Sequence, residues 1–220
     1  MSAPNSPVVP VIVGDGIGPD IWAATVRVLD AAVARAHGDD RRIRWLEVPA
    51  GESALASCGE HLPEATIAAF AEHRVGIKGP LSTPVGGGVR SLNITLRDRL
   101  DLCVCMRPIR WFPGVPSPVK HPERTDMVVF RENTEDIYAG VEFAADSDDG
   151  RRFEAMLRQH FPAQHARIRF PFSAGFGIKA ISREGSERLL RAAFDHAFAR
   201  RLPRVTLVHK GGVMKFTEGA

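Results

Sequence analysis

The sequence predicts an α/β protein built around a parallel sheet, and three observations carry that expectation. Residues 8–13 form a short, continuous apolar run, the mark of a strand covered on both faces. Strand and helix patterns then alternate three times, which is the βαβ rhythm. Glycine- and proline-rich segments fall at the carboxyl ends of the predicted strands, where ligands sit in such sheets.

The elements follow in order. After strand 8–13, Gly14-Asp15-Gly16-Ile17-Gly18 makes a tight turn and Pro19 opens a helix over 20–37. The spacing is Gly-x-Gly-x-Gly, and no acidic residue closes a well-placed second strand, which argues against a dinucleotide fingerprint. Ile21, Val28, Ala32 and Ala36 form the expected inner stripe of that helix, widened by Leu29 and Val33. Residues 43–48 alternate as a strand, 52–56 make a helical turn, and a helix from Leu62-Pro63-Glu64 carries Ile67 and Phe70 inward. A strand over 74–78 leads into a loop, and a short helix begins near Leu92.

A second strand pattern covers 101–107, after which Pro108, Pro113, Pro116, Pro118 and Pro122 break the chain into a loop. Residues 125–131 and 137–143 read as strands, 153–160 as helix, and 167–172 as a half-exposed strand. The segment 136–180 is loop-rich and too poor in core to fold alone. Ser182 caps a helix running to about 200, with Leu189, Ala193 and Ala197 inward. Residues 205–208 read as a buried strand, His209-Lys210-Gly211-Gly212 lies at its end, and a helix is expected from Val213.

Composition narrows the function classes. The chain has 220 residues, 44% of them apolar, enough for one sizeable core or two small lobes. Lys+Arg 29 against Asp+Glu 26 gives +3, and the charges are interspersed. No basic tract alternates with aromatic residues, so a nucleic-acid partner is not expected. No window approaches the roughly 18 apolar residues of a membrane span, and the amino terminus has no leader pattern. Three cysteines fit no metal motif and no disulfide framework, which points to a reducing cytoplasm.

The chemistry concentrates between Lys78 and Arg107. Lys78-Gly79-Pro80-Leu81-Ser82-Thr83-Pro84 leads through Gly86-Gly87-Gly88 to Arg90-Ser91-Leu92-Asn93, Arg97 and Arg107-Pro108. Ser91 falls at a helix N-cap position, and Asn93 and Arg97 are four apart on one face. One hydroxyl, one amide and two guanidiniums at a helix start suit a small molecule bearing several carboxylates. Arg131, leaving its strand into a polar turn, adds a third cation for a third carboxylate.

The run Arg-Ser-x-Asn-x-x-x-Arg followed by Arg-Pro resembles the substrate loop of the isocitrate dehydrogenases, in the β-decarboxylating dehydrogenase family. The likeness runs from Gly14-Asp15-Gly16-Ile17-Gly18-Pro19 to Lys215-Phe216-Thr217-Glu218-Gly219 and is nearest the bacterial dimeric, NADP-dependent type. It implies an isopropylmalate dehydrogenase-like fold lacking its C-terminal part. Residues 1–102 would belong to a large α/β domain, 103–135 and 181–220 to a small domain, and 136–180 to a clasp joining a homodimer.

The resemblance also implies site roles. Ser91, Asn93, Arg97, Arg107 and Arg131 would hold isocitrate, with Ser91 and Asn93 discriminating it from alkyl malates. Tyr138, in Arg131-Glu132-Asn133-x-Glu135-Asp136-Ile137-Tyr138, would be the general acid. Lys210 would be its proton-transfer partner, reaching into the neighbouring subunit's site. Lys78, Ser82 and Thr83 would face the nicotinamide end of NADP. Ser91 is further a phosphorylation candidate, since a phosphate there would repel the substrate and bring in a regulatory kinase and phosphatase. The implied reaction converts isocitrate to 2-oxoglutarate and CO2 in the tricarboxylic acid cycle, at the branch to the glyoxylate bypass, with Mg2+ or Mn2+. Its metal aspartates and its adenosine and 2′-phosphate contacts would lie beyond residue 220, so this chain by itself is expected to be inactive or nearly so. Lys210-Gly211-Gly212-Val213-Met214-Lys215 also departs from the family by placing glycine where an asparagine is usual. The alternatives are a sister dehydrogenase for another 2-hydroxy acid, and a truncated paralogue that binds carboxylates or dimerises without catalysis.

Overall fold

A computed structural model of the chain describes residues 5–82 and 91–219. It divides into two compact units, with the division between Asp101 and Leu102.

The first unit is organised by β1 (Val8–Ile12), where Val11, Ile12 and Pro10 are almost fully buried. The apolar run leaves no polar side chain for solvent, so the strand takes the centre of the sheet. β2 (Arg44–Glu47) and β3 (Ile77–Lys78) flank it, both parallel, in the order β2-β1-β3. Helix α1 (Gly18–His37) connects β1 to β2, while α2 (Glu52–Cys58) and α3 (Glu64–His73) connect β2 to β3. α4 (Leu92–Arg99) follows. The core joins Ile12, Ala50, Ile67, Leu81, Leu92 and Leu96, with Val48, Leu62, Phe70 and Leu100 packed around it. Each large aliphatic buried there contributes about 1.5–3 kcal/mol relative to exposure. Thr66 is buried too, and its hydroxyl donates to Pro49 O at 2.6 Å, which satisfies it.

Two expectations change here. The expected strand over 74–78 shortens to Ile77–Lys78, because Arg74 takes a left-handed conformation (φ 56°) and ends α3 instead. The stripe of α1 is rotated: Ile21 and Val28 are 49% and 67% exposed, while Trp22, Val26, Leu29 and Val33 turn inward. Two tryptophans decide the rotation. Trp22 packs edge-on against Trp45 at 5.2 Å, and the Trp45 indole N–H donates to Asp30 Oδ1 at 3.0 Å.

The second unit opens with β4 (Val104–Arg110) and β5 (Asp126–Glu132), an antiparallel pair with Val104 opposite Glu132 and Arg110 opposite Asp126. β4 starts and ends three residues later than the expected 101–107. The expected strand over 137–143 becomes a 3-10 turn, Asp136–Ala139, followed by β6 (Glu142–Phe143). α5 (Asp148–His160) begins earlier than expected because the Ser147 hydroxyl accepts from the Gly150 N–H at 3.0 Å. α6 (Pro162–His165) ends before the segment where a strand over 167–172 was expected, and that segment runs as turns into a 3-10 turn at Pro171–Ser173. Pro171 lacks a donor, and Phe170 and Phe172 are each about 70% exposed, so that alternation marks no buried face. β7 (Phe176–Gly177) pairs antiparallel with β6, and the Phe153 ring lies 4.5 Å from that of Phe143 and 5.2 Å from that of Phe176.

α7 (Arg183–Ala199) packs on β5 through Leu189, Ala193 and Ala197, with the His196 ring 5.4 Å from Phe130. Residues 205–208 form no ladder among the described residues, and Leu207 and Val208 are exposed. The expected helix from Val213 is a series of turns, held by the Val213 and Met214 N–H groups on Lys210 O. A groove of about 720 Å³ runs between Met127 and Val129 of β5, Leu189 and Ala193 of α7, and Leu207; it carries none of the candidate site residues. Among the described residues no helix is long and apolar enough to cross a membrane.

Candidate functional site

In the first unit the site is built where β1 and β3 end. Gly14 takes φ 90°, and a side chain there would meet Pro80 O at 2.2 Å. Gly79 is tighter still, with Val13 O 1.9 Å from where its Cβ would lie. The two loops therefore press backbone on backbone. Asp15 locks them. It is 8% exposed, its Oδ1 accepts the Glu52 N–H at 2.9 Å, and its Oδ2 accepts the Ser82 N–H at 2.8 Å. Its own N–H donates to Pro80 O at 2.7 Å. The Gly-x-Gly-x-Gly turn is thus structural, and its aspartate fixes the loop that carries Ser82.

Lys78 ends β3 beside this clip. Burial first, and the Arg97 guanidinium second, hold its pKa below the usual lysine range, while Asp15 pulls the other way. Lys78 and Arg97, both candidates from sequence, therefore feel each other's charge. On α4, Leu92 and Leu96 anchor the buried face, leaving Asn93 and Arg97 half-buried beside it. Ser91 stands at the N-cap position, although its side chain makes no capping hydrogen bond. Thr83 and the glycine run 86–88 lie outside the described residues.

In the second unit the ladder organises the site. Cys105 is opposite Arg131 and Arg107 is opposite Val129, so both arginines project from one face of the β4–β5 ribbon. Arg107 is exposed and its Nε donates to Cys105 Sγ at 3.0 Å. Arg131 lies over the Tyr138 ring, with Cζ 4.9 Å from its centroid. Its NH2 donates to Asn133 Oδ1 at 3.3 Å, and Asn133 is itself buried and bonded from its N–H to Cys103 O. The Arg131 Nε–H is buried and makes no hydrogen bond to the protein. A buried guanidinium donor left unpaired costs about 1–3 kcal/mol, a cost that an anionic ligand would remove.

The turn that carries Tyr138 is pinned at both ends. Glu135 accepts from the Ser182 N–H at 2.8 Å and from the Ser182 hydroxyl, and the Ser182 oxygen in turn caps α7 through the Gly185 N–H at 2.9 Å. Asp136 has φ 60°, a conformation that costs a non-glycine residue about 1 kcal/mol or more. Its Oδ1 accepts the Ile137 N–H at 2.8 Å and its Oδ2 accepts Lys179 Nζ at 2.8 Å. Lys179 also donates to Glu218 Oε1 at 2.6 Å, and the other Glu218 oxygen accepts the Lys210 N–H. These hydrogen bonds, to Asp136 and then Glu218, raise the Lys179 pKa. Lys179, followed by the Lys210 N–H, holds the Glu218 carboxyl below the usual carboxylate range.

Each unit thus gathers part of the expected set. The first holds Lys78, Ser82, Ser91, Asn93 and Arg97, and the second brings Arg131 against Tyr138 with Arg107 on the same ribbon face. Sequence reasoning missed Asp15, Glu135, Lys179 and Glu218. Asp15 and Glu218 stood inside the motifs, but their partners are 37 to 67 and 39 residues away, so no local pattern marks them. Among the described residues no group of three or more His, Cys, Asp or Glu could hold a metal ion.

This α/β scaffold, with glycine loops at strand ends and arginines on a two-stranded ribbon, is that of a dehydrogenase family. Residues 8–219 match the isocitrate/isopropylmalate dehydrogenase family, and the chain belongs to it. The NADP isocitrate dehydrogenase of Staphylococcus epidermidis is 54% identical over 220 residues, all of this chain and 52% of that relative. The isocitrate dehydrogenase (NADP) 1 of a Psychrobacter species is likewise 54% identical, over 221 residues and 52% of its length. The crystal structure of isocitrate dehydrogenase from Methylococcus capsulatus superposes with TM-score 0.77 at 36% identity, covering 97% of this chain and 54% of that one. The fold is therefore isocitrate dehydrogenase-like, and the chain spans about half the length of the curated relatives it matches.

Proposed function

We propose that this chain supplies the substrate-binding and proton-transfer residues of an NADP-dependent isocitrate dehydrogenase. The observation that carries the reading is Arg131: a guanidinium stacked on Tyr138, on one ribbon face with Arg107, with a buried Nε–H that lacks an acceptor. Such a donor beside a phenol is suited to a carboxylate whose carbon framework must be protonated. Ser91, Asn93 and Arg97 supply the hydroxyl, amide and further cation for a tricarboxylic acid. Ser82, whose N–H the Asp15 carboxylate accepts, and Lys78, together with Thr83 from the sequence motif, would contact the nicotinamide end of NADP.

The reaction balances as follows. A hydride leaves C2 of isocitrate for the nicotinamide of NADP+ while the C2 hydroxyl loses its proton, giving oxalosuccinate. The C3 carboxylate departs as CO2, and its bonding electrons form an enolate. The Tyr138 hydroxyl protonates C3, giving 2-oxoglutarate, and Lys210 restores that proton. Mg2+ or Mn2+ supplies Lewis-acid polarisation in this chemistry. The described residues hold no donor set for it, and no step above is routed through it. A homodimer joined through residues 136–180, a cytoplasmic setting, and control by phosphorylation of Ser91 belong to the same reading.

The test is turnover by the full-length gene product. Purified protein should reduce NADP with isocitrate and Mg2+ or Mn2+, and should prefer isocitrate to 3-isopropylmalate and homoisocitrate. Ser91→Ala and Asn93→Ala should erode that preference. Faster turnover of either alkyl or homologous malate would reject isocitrate as the substrate, and carboxylate binding without turnover would favour a non-catalytic binder.

A further inference from the structure

Asn133 follows β5 directly, where the ribbon gives way to the turn that carries Tyr138, and it is 5% exposed. Its N–H donates to Cys103 O at 3.2 Å, which carries the β4–β5 pairing one residue past Val104 and Glu132. On its other side, the Glu132 carboxylate accepts the Thr134 and Glu135 N–H groups, each at 2.8 Å. The backbone at Asn133 is therefore held from both directions. Alternation along the strand puts its side chain on the ribbon face that carries Arg131 and Arg107. From there its Oδ1 accepts from Arg131 Nη2 at 3.3 Å.

A guanidinium is a planar fork of five donors on a long, rotatable stem, so what it recognises depends on which edge faces the ligand. Two contacts fix that edge here. The Tyr138 ring sets the plane, with Arg131 Cζ 4.9 Å from its centroid, and Asn133 holds one terminal nitrogen. The Nε–H is left buried with no acceptor in the protein. The Asn133 oxygen is also neutral. It takes one donor of the fork without cancelling its charge. A carboxylate in the same place would pair with the cation and compete with an anionic ligand.

We propose that Asn133 is a positioning residue: its neutral carbonyl turns the Nε–H edge of Arg131 toward a substrate carboxylate and leaves the positive charge to bind it. The proposal rests on the reading given above, that Arg131 holds isocitrate. Arg131, Asn133 and Tyr138 all lie in the second unit of one chain.

The experiment titrates isocitrate, with Mg2+ present, and separately NADP into the full-length gene product by calorimetry, comparing Asn133→Ala, Asn133→Asp and Arg131→Met. One hydrogen bond to a charged group corresponds to about tenfold to a hundredfold in affinity, and the 3.3 Å length puts this one at the lower end. Asn133→Ala should therefore weaken isocitrate about tenfold. Asn133→Asp keeps the shape and adds a charge, so it should weaken isocitrate further, to about a hundredfold, although it folds with an added ion pair. The Kd for NADP should stay within twofold in both. If Asn133→Ala does not fold, the near-isosteric Asn133→Asp carries the test against the wild-type protein. An isocitrate Kd within twofold of wild type in these variants overturns the proposal. So does an aspartate variant that binds no more weakly than the alanine one, or a parallel weakening of isocitrate and NADP, which would mark a structural role. Arg131→Met separates the two levels. If it binds isocitrate within twofold of wild type, Arg131 does not hold the substrate, and this proposal falls with that reading. If it abolishes binding while the Asn133 variants bind normally, only the role of Asn133 is wrong.

Discussion

Replacing Asp15 by alanine should loosen the first unit more than any other exchange of a single polar side chain there. The carboxylate accepts two backbone N–H groups, Glu52 at 2.9 Å and Ser82 at 2.8 Å, and is 8% exposed. Hydrogen bonds to a charged group contribute about 1.5–3 kcal/mol each, so the pair is worth about 3–6 kcal/mol before relaxation. Glu52 and Ser82 are themselves exposed, and water can reach their N–H groups once the carboxylate is gone. The lower end, about 3 kcal/mol, is therefore the expected loss. Asp15→Asn keeps one acceptor oxygen but turns an amide NH2 toward the other N–H, so about 2 kcal/mol should go. The assay is urea unfolding followed by tryptophan fluorescence. Trp22 and Trp45 pack together in this unit, and a Trp111→Phe background removes the signal from the other. A loss below about 0.5 kcal/mol for Asp15→Ala would show that the two loops hold together without the carboxylate, and the clip would have to be abandoned.

Three further outcomes are expected. Gly79→Ala should prevent soluble expression or cost several kcal/mol, because its Cβ would lie 1.9 Å from Val13 O, where only backbone movement gives room; a stable Gly79→Ala protein by thermal melt would contradict this approach of the loops. Glu218 has a lowered pKa through Lys179, the Lys210 N–H and, more weakly, Lys179 and His209 charges, so its contribution is present above the unfolded carboxylate pKa of about 4.3 and is lost as pH falls through the folded value. Melting temperature should therefore decline on acidification below about pH 5, less steeply in Glu218→Gln, and parallel curves for the two proteins would count against a stabilising Lys179–Glu218 ion pair. Lys78, with its pKa lowered by burial and Arg97, should react with an acylating reagent faster than Lys179, whose pKa is raised; mass spectrometry of trace-labelled protein reads the ratio, and Arg97→Met should slow Lys78.

Much of this was legible in the chain itself. The apolar run at β1 could only be a covered strand, since it offers nothing polar to water, and the alternation after it forced a parallel sheet. Ser182 as a helix cap and the Asn93–Arg97 face followed from local spacing. Local spacing failed where distant partners decided. The rotation of α1 was set by Trp22 meeting Trp45, a contact no helical period contains. Residues 205–208 carry a strand's composition but no ladder among the described residues, and 167–172 alternate without burying a face.

The candidate site divides the same way. Sequence by itself determined which groups are present: the arginines, the hydroxyl and amide on α4, one tyrosine and a lysine after a predicted strand. Side-chain chemistry and short spacings are properties of the chain, and they survive any fold. Only tertiary structure decided which carboxylates pin the loops and turns that carry several of them. Asp15 reaches Ser82, and Lys179 joins Asp136 to Glu218, because folding brings distant segments within hydrogen-bond range, and that proximity is written in no local pattern.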